Sequence, residues 1–249
     1  MKTVLVTGST RGLGRALAAR FAESGARIVA HGRHRADLAS LAEVRRLAHD
    51  VVAACERLDL LVNNAGVGFG APGAARELSR DGYELRFAVN YLAPFLLTHL
   101  LVPLLRASAP ARIVNVASIG QSRIDFDDLM LERGYDGARA YGGSKLALIM
   151  FTFDLAEALE DNGVTANAIH PATLMNTDMV AQAQIAPRTS VEEGADAVMH
   201  LATSPALEGV SGEFFDGRRP MRAASQAYDH QARERLRAVS ARLTGLALE

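Results

Sequence analysis

The chain alternates short, continuous apolar runs with longer stretches of helical period. The runs are Val4-Leu5-Val6, Ile28-Val29-Ala30, Leu60-Leu61-Val62, Ile113-Val114-Asn115-Val116 and Val164 to Ile169, and Phe214-Phe215 offers a last one. Runs apolar at every position, rather than at every second one, suit parallel strands covered on both faces. Between them the period predicts helices over 12–24, 38–56, 77–106, 138–161 and 191–203, with Gly25 and Gly163 placed where helices stop. This order predicts one α/β domain over 1–249, built on a doubly wound parallel sheet with right-handed crossovers. The tail, 222–249, reads as a C-terminal surface helix, with Leu236, Val239, Leu243 and Leu246 at helical spacing. Packing on the domain edge, closure over a ligand and subunit contact all fit that tail.

Composition narrows the function classes. A chain of 249 residues, 49% hydrophobic and 22% charged, buries a real core and is not disordered. Its 27 basic and 28 acidic side chains leave a net charge of −1, so nucleic acid is not the expected partner. Cys55 is the one cysteine, which excludes an internal disulfide and a Cys-based metal site. No metal is expected, and a reducing, cytoplasmic setting is. The longest apolar stretch, Tyr91 to Leu105, is broken by Pro94, Thr98, His99 and Pro103. It falls short of the ~20 apolar residues of a membrane span, so no membrane partner is expected.

Five features carry chemistry. Thr7-Gly8-Ser9-Thr10-Arg11-Gly12-Leu13-Gly14 follows the first strand and opens a helix. Glycines there let backbone approach a pyrophosphate, and the helix N-terminus supplies amides and positive potential, although a plain strand–helix turn looks alike. Asn63-Asn64-Ala65-Gly66 ends the third run, on the carboxyl edge where such sheets bind ligands. Tyr141 and Lys145 stand four apart on a predicted helix, so an ammonium beside the phenol favours the phenolate and suits carbonyl–alcohol proton transfer. An isolated pair of this kind is usually surface decoration. Ser118 follows the fourth run, where it would serve a substrate oxygen or cap a turn. Asn90 is a polar residue in an apolar helix, satisfied by its neighbours or holding water near the lysine.

Together these elements, in this order and over nearly the whole chain, resemble the short-chain dehydrogenase/reductase superfamily. Asp37-Leu38-Ala39-Ser40-Leu41, Ser211-Gly212-Glu213-Phe214-Phe215 and the tail ending Leu243-Thr244-Gly245-Leu246 look most like its retinol-dehydrogenase-like bacterial reductases. The resemblance implies a Rossmann-type fold and a tetrad of Asn90, Ser118, Tyr141 and Lys145. It implies a nicotinamide cofactor held by the glycine turn, Asn63 to Gly66, Tyr141, Lys145 and the loop with Pro171, Leu174 and Thr177. Leu174 and Thr177 would lie nearest the nicotinamide. It implies a small carbonyl or alcohol substrate, apolar to judge from Leu174, Met175, Met179 and Val180, and a homodimer or homotetramer formed through the apolar surplus of the 87–105 and 146–159 helices. The second run ends Ala30-His31-Gly32-Arg33, with no acid to bind a ribose 2′-hydroxyl. Arg33 and Arg11 would instead fork onto a 2′-phosphate, so NADP(H) is the expected cofactor.

Two departures stand out. The loop after the fifth run reads His170-Pro171-Ala172 where the family has Pro-Gly, and residues 174–190 are few enough to predict an open cleft. Residues 34–58 must also hold what the family builds from two helices and a strand, which needs about 40 residues. One helix and one edge strand are therefore expected to be missing. That leaves six parallel strands in the order 2-1-3-4-5-6, with Arg27, His31 and Arg33 guarding an exposed second strand. Asp37 and Leu38 resemble the family's adenine-contacting pair; with one wall of the adenine pocket lost, the expectation is weaker cofactor binding or a substitute wall, from residues 34–40 or a neighbouring subunit. The expected activity is NADPH-dependent reduction of a ketone or aldehyde. The alternatives are a catalytically silent dinucleotide-binding or scaffold protein, and a non-redox enzyme using the same pocket.

Overall fold

The computed structural model describes residues 1–247. Seven strands form one sheet in the order β2-β1-β3-β4-β5-β6-β7. They are β1 (Thr3–Val6), β2 (Arg27–Ala30), β3 (Leu60–Asn63), β4 (Ala111–Val116), β5 (Val164–His170), β6 (Phe214–Asp216) and β7 (Arg219–Pro220). The first six are parallel in the expected order. The two-residue β7, antiparallel to β6, adds the seventh. Helices α1 (Gly12–Glu23), α2 (Leu41–Ala54), α5 (Gly137–Ala158) and α7 (Val191–Thr203) fill the predicted intervals, and α6 (Asp178–Gln182) is a short addition. One helix, α2, joins β2 to β3, and no strand lies between them among the described residues.

The continuous apolar runs divide cleanly between the two faces. Leu5, Leu61 and Ile113 enter the core under α2, α5 and the helix Ala93–Ala107, whereas Val4, Val6, Leu60, Val62 and Val114 pack under α1 and α7. Successive strand residues point to opposite faces, so a fully apolar run is what a doubly covered sheet requires.

The helix expected over 77–106 starts later. Residues 79–82 make a turn, with Gly82 at φ 84, and the Glu84 carboxylate accepts from the Phe87 amide at 2.7 Å to cap the new start. From there α3 (Leu85–Phe87), one π-helical turn (Ala88–Leu92) and α4 (Ala93–Ala107) run as one rod. This rod, Leu85–Ala107, is long and apolar enough to cross a membrane, but 78% of its most apolar window is buried inside the fold.

The C-terminal helix α8 (His230–Thr244) realises the predicted tail, of which Leu248 and Glu249 lie outside the described residues. It lies on the same face of the molecule. The Tyr91 hydroxyl and Ser240 Oγ are 2.6 Å apart, the Tyr83 hydroxyl donates to the Leu243 carbonyl at 3.0 Å, and Arg233 pairs with Asp154 at 3.1 Å. Tyr91, Phe95, Leu101 and Leu105 are all at most 1% exposed within the single chain. Much of the apolar surplus expected to meet a second subunit is thus covered by the chain itself.

Candidate active site

A cleft of about 1160 Å³ runs along the carboxyl edge of the sheet, from β2 to α6. The glycine turn forms its floor. Gly8 and Gly12 take left-handed backbone at φ 68 and 49. A Cβ at Gly14 would lie 2.2 Å from the Gly8 carbonyl oxygen, so only glycine lets α1 come this close to β1. The first turn of α1 carries no acid, and its N-cap, Arg11, makes no side-chain cap, which leaves the helix amides free. Thr7, at the head of the glycine motif, stitches this turn to the next. Its Oγ1 accepts from the Asn64 and Ala65 amides at 2.9 and 3.0 Å.

The β4–α5 end gathers the predicted reactive groups. Ser118, just beyond β4, is buried, and its Oγ accepts from the Gly120 amide at 3.0 Å. Tyr141 and Lys145 share one face of α5. The Lys145 Nζ lies 5.7 Å from the Tyr141 ring centre and donates to the Val116 carbonyl at 2.7 Å. Gly142 lets the loop after Ser118 close on this helix, because a Cβ there would meet Ser122 Oγ at 2.4 Å. Phe69 stands edge-on to Tyr141 at 5.7 Å, a contact without a sequence signal. His170 is buried at the end of β5, its Nε2 3.0 Å from Thr173 Oγ1.

Charges in this end are governed by burial. Lys145 is pushed down to about 8 because its ammonium is out of water. The lowering of the Tyr141 pKa expected from Lys145 is not what dominates. Burial pushes the phenol up, and the Ser118 hydroxyl pulls it partly back. Burial also pushes His170 down; Asp216 opposes this and Lys145 adds to it.

Three predicted residues stand behind the cleft wall instead of lining it. Ser9 Oγ accepts from the His31 amide at 2.8 Å and is 3.0 Å from its carbonyl oxygen, tying the turn to β2. Asn63 is 2% exposed and donates to Thr98 and Asn115 inside the core. Asn90, in the π-helical turn, accepts from the Val67 amide at 2.7 Å and donates to its carbonyl at 2.9 Å and to Ser144 Oγ at 3.0 Å. An amide on a buried helix needs such partners. It still stands close to Lys145, since a Cβ at Gly66 would meet both Asn90 Oδ1, at 3.2 Å, and Lys145 Nζ, at 3.6 Å.

The β2 end differs from expectation in detail. Gly32, Arg33, Ala36, Asp37 and Leu38 do line the cleft and supply the substitute wall. His31, expected to guard an exposed edge, is 2% exposed and turned inward. Asp37 accepts from the Ala39 amide and has Arg33 at 3.6 Å and Arg80 at 3.7 Å. Arg11 pairs with Asp178 at 3.0 Å across the mouth of the cleft. Both partners are largely exposed, so the pair is weak.

The loop after β5 comes down over the glycine turn and the β3 loop. Leu174, not residue 172, takes the left-handed backbone, at φ 51. Met175 bridges to Thr189, which folds the segment back on itself. Pro171, Leu174 and Thr177 all line the cleft, and Thr177 sits 3.4 Å from the Cβ position of Gly12, over the glycine turn. Met179 covers Gly68, where a Cβ would meet its Cγ at 2.4 Å.

Comparison with known proteins agrees with this geometry. The family model for short chain dehydrogenase matches residues 2–43 and 34–187, two segments that overlap just after β2, where the chain is short. Retinol dehydrogenase 13 of Mus musculus is 37% identical over 287 aligned positions, covering 99% of this chain and 85% of the relative. The alignment is longer than the chain, so the relative carries residues that this chain lacks. Among solved structures, the 3-alpha-hydroxysteroid dehydrogenase from Pseudomonas sp. B-0831 complexed with NADH has a TM-score of 0.72 at 25% identity, covering 87% of this chain and 96% of that one. The Pseudomonas aeruginosa RhlG/NADP active-site complex has a TM-score of 0.66 at 28% identity, covering 86% and 94%. The chain therefore belongs to the short-chain dehydrogenase/reductase family, oxidoreductases acting on alcohol and carbonyl groups, as a retinol-dehydrogenase-like member with a shortened connection after β2.

Proposed function

We propose that the protein is an NADPH-dependent oxidoreductase that reduces an apolar ketone or aldehyde to its alcohol, with Tyr141 as the acid. The observation that carries this reading is the convergence of Ser118, Tyr141 and Lys145 at one end of a cleft whose floor is the glycine turn. The backbone at Gly8, Gly12 and Gly14 leaves a cradle that side chains would fill, which fits a pyrophosphate. The cofactor, when bound, supplies hydride to the carbonyl carbon. Tyr141 gives its phenolic proton to the carbonyl oxygen as that oxygen gains charge, and Ser118 holds the same oxygen by a hydrogen bond. A phenol pushed up by burial is protonated at neutral pH, as reduction requires. Lys145, below its pKa of about 8, places a positive charge beside the phenolate left behind. Asn90 holds Val67 and Ser144 and so sets the spacing between the β3 loop and α5.

The preference for NADP(H) over NAD(H) is supported by the end of β2. Arg33 is 74% exposed there, and the neighbouring Asp37 is already engaged by Arg33 and Arg80. An apolar substrate is supported by Ile119, Leu174, Met175, Met179 and Val180 along the cleft. The lone, buried Cys55 fits a reducing, cytoplasmic compartment.

The test is loss of NADPH absorbance with a panel of apolar ketones and aldehydes, comparing wild type with Tyr141→Phe and NADPH with NADH. Turnover by wild type with NADPH, lost in Tyr141→Phe, is expected. NADPH binding without turnover of any carbonyl would instead favour a silent binding protein.

A further inference from the structure

The shortened connection leaves residues 32–40 to do the work of a strand and a helix. The segment has only turns of its own. Arg35 and Ala36 donate to the Gly32 carbonyl at 2.8 and 3.2 Å, and Ser40 donates to that of Asp37 at 2.9 Å. Burial of Ala36, Leu38 and Ala39 in the core, and the Arg80 amide donating to the Ala39 carbonyl at 2.8 Å, hold the segment against the sheet. His31 ties it to the glycine turn. Its Nδ1 accepts from the Gly8 amide at 3.1 Å, and its Nε2 lies 3.0 Å from the Ala36 carbonyl oxygen. An amide can only donate and a carbonyl can only accept. The ring must therefore be neutral, bare at Nδ1 and protonated at Nε2. Its main chain is gripped as well, by Ser9 Oγ and by the Ser9 amide, which donates to the His31 carbonyl at 2.8 Å.

We infer that His31 is a positioning residue for the dinucleotide: its neutral imidazole is a strut that fixes the 32–40 wall against the glycine turn. This inference rests on the proposed binding of NADP(H). His31 itself stands at the foot of the wall, away from the Ser118–Tyr141–Lys145 end.

The strut is sensitive to protonation by construction. An imidazolium would set N–H against the Gly8 N–H and break that contact. The surroundings oppose a charge. Burial lowers the His31 pKa, His34 and Arg35 lower it further, and the Ala36 carbonyl works the other way. Of the other charged groups on this side of the cleft, Arg33 and Arg80 are drawn to Asp37, Glu43 lies against the Asp37 amide and Arg11 pairs with Asp178. The sign follows. A histidine whose folded pKa is depressed contributes fully above its ordinary value of about 6.5, and the contribution is lost as pH falls.

The experiment measures NADP⁺ affinity by calorimetry between pH 5 and 8 for wild type, His31→Leu and His31→Gln. Removing a strut that satisfies a buried amide is expected to weaken NADP⁺ binding about tenfold at pH 7.5 in His31→Leu. His31→Gln, which keeps a donor and an acceptor, recovers part of the loss. The effect falls on KM for the cofactor, while kcat at saturating NADPH moves by less than about threefold. The 2′-phosphate itself titrates near 6, so the pH series is read as the difference between wild type and His31→Leu, which shrinks only as pH falls through the lowered pKa of His31. Nitrogen-15 shifts of the wild-type ring supply a readout that needs no variant, expected to show bare Nδ1 and protonated Nε2 at pH 7.5. Wild-type affinity in a folded His31→Leu, or the opposite tautomer, overturns the inference alone. A wild type that binds neither NADPH nor NADH overturns the functional reading and the inference together.

Discussion

At the β4–α5 end of the cleft, Ser118, Tyr141 and Lys145 stand on elements held by neighbours on every side. At the β2 end, Arg33, Asp37 and Leu38 stand on a run of turns hung from an edge strand. The first end is rigid because β4 pairs with both β3 and β5 and α5 is buried along most of its length. The second has β1 on one side only. Its order comes from burial of Ala36, Leu38 and Ala39 and from side chains: His31 inward to Gly8 and Ala36, and Arg33 and Arg80 onto Asp37. The contrast teaches that a piece can be lost from the margin of this fold without disturbing its centre. The margin then adds a few polar contacts to its apolar anchors that the centre does not need.

Substitutions at the two ends should separate chemistry from binding. The largest effect is expected from Tyr141→Phe, which removes the proton donor and lowers kcat about 10²–10⁴-fold in the ketone assay while cofactor affinity holds. An equal loss in cofactor affinity would break the division between the ends. Gly14→Ala comes next. Its methyl group meets the Gly8 carbonyl at 2.2 Å, an overpacking that costs about 2 kcal/mol and lowers Tm by roughly 4–8 °C. Calorimetric melting checks it, and an unchanged Tm would mean that the floor yields more readily than its packing indicates.

Arg33→Ala tests the margin directly. NADPH affinity should fall about tenfold, with NADH affinity unchanged. Equal loss for both cofactors would assign Arg33 to the wall and not to the 2′-phosphate. The centre has its own pH signature. Lys145 holds its charge below a pKa of about 8, so kcat/KM for reduction should be level near neutrality and fall up to tenfold per unit above it. A profile level to pH 9.5 would remove Lys145 from the proposed chemistry. The smallest effect is expected from Asp178→Asn. It frees Arg11 from an exposed ion pair, worth at most about 1 kcal/mol, so NADPH affinity should rise less than about fivefold.

Much of this was legible in the sequence, and particular residues show why. The six parallel strands and their order followed from apolar runs that only a doubly covered sheet explains. The glycine turn and the Tyr141–Lys145 spacing followed from local rules about turns and helices. The shortened connection was legible too, because 34–58 is too few residues for two helices and a strand. The late start at Leu85 was not, because Ser79 to Gly82 form a turn that becomes visible only once Glu84 is seen capping Phe87. Nor was the inward turn of His31, the retreat of Ser9, Asn63 and Asn90 behind the wall, or the reach of Arg11 to Asp178. Each depends on a partner between 22 and 167 positions away.

The sequence by itself therefore determined what is periodic or local: the sheet, the helices, the floor of the cleft and the pairing of a phenol with an amine along one helix. The tertiary structure alone decided which polar side chains face the cleft, what replaces the missing wall and how the β5 loop comes down over the glycine turn. Backbone propensity acts over a few residues and is written wherever those residues stand. A hydrogen bond between distant strands, and the burial that lifts Tyr141 and lowers Lys145, exist only once the chain has brought the groups together.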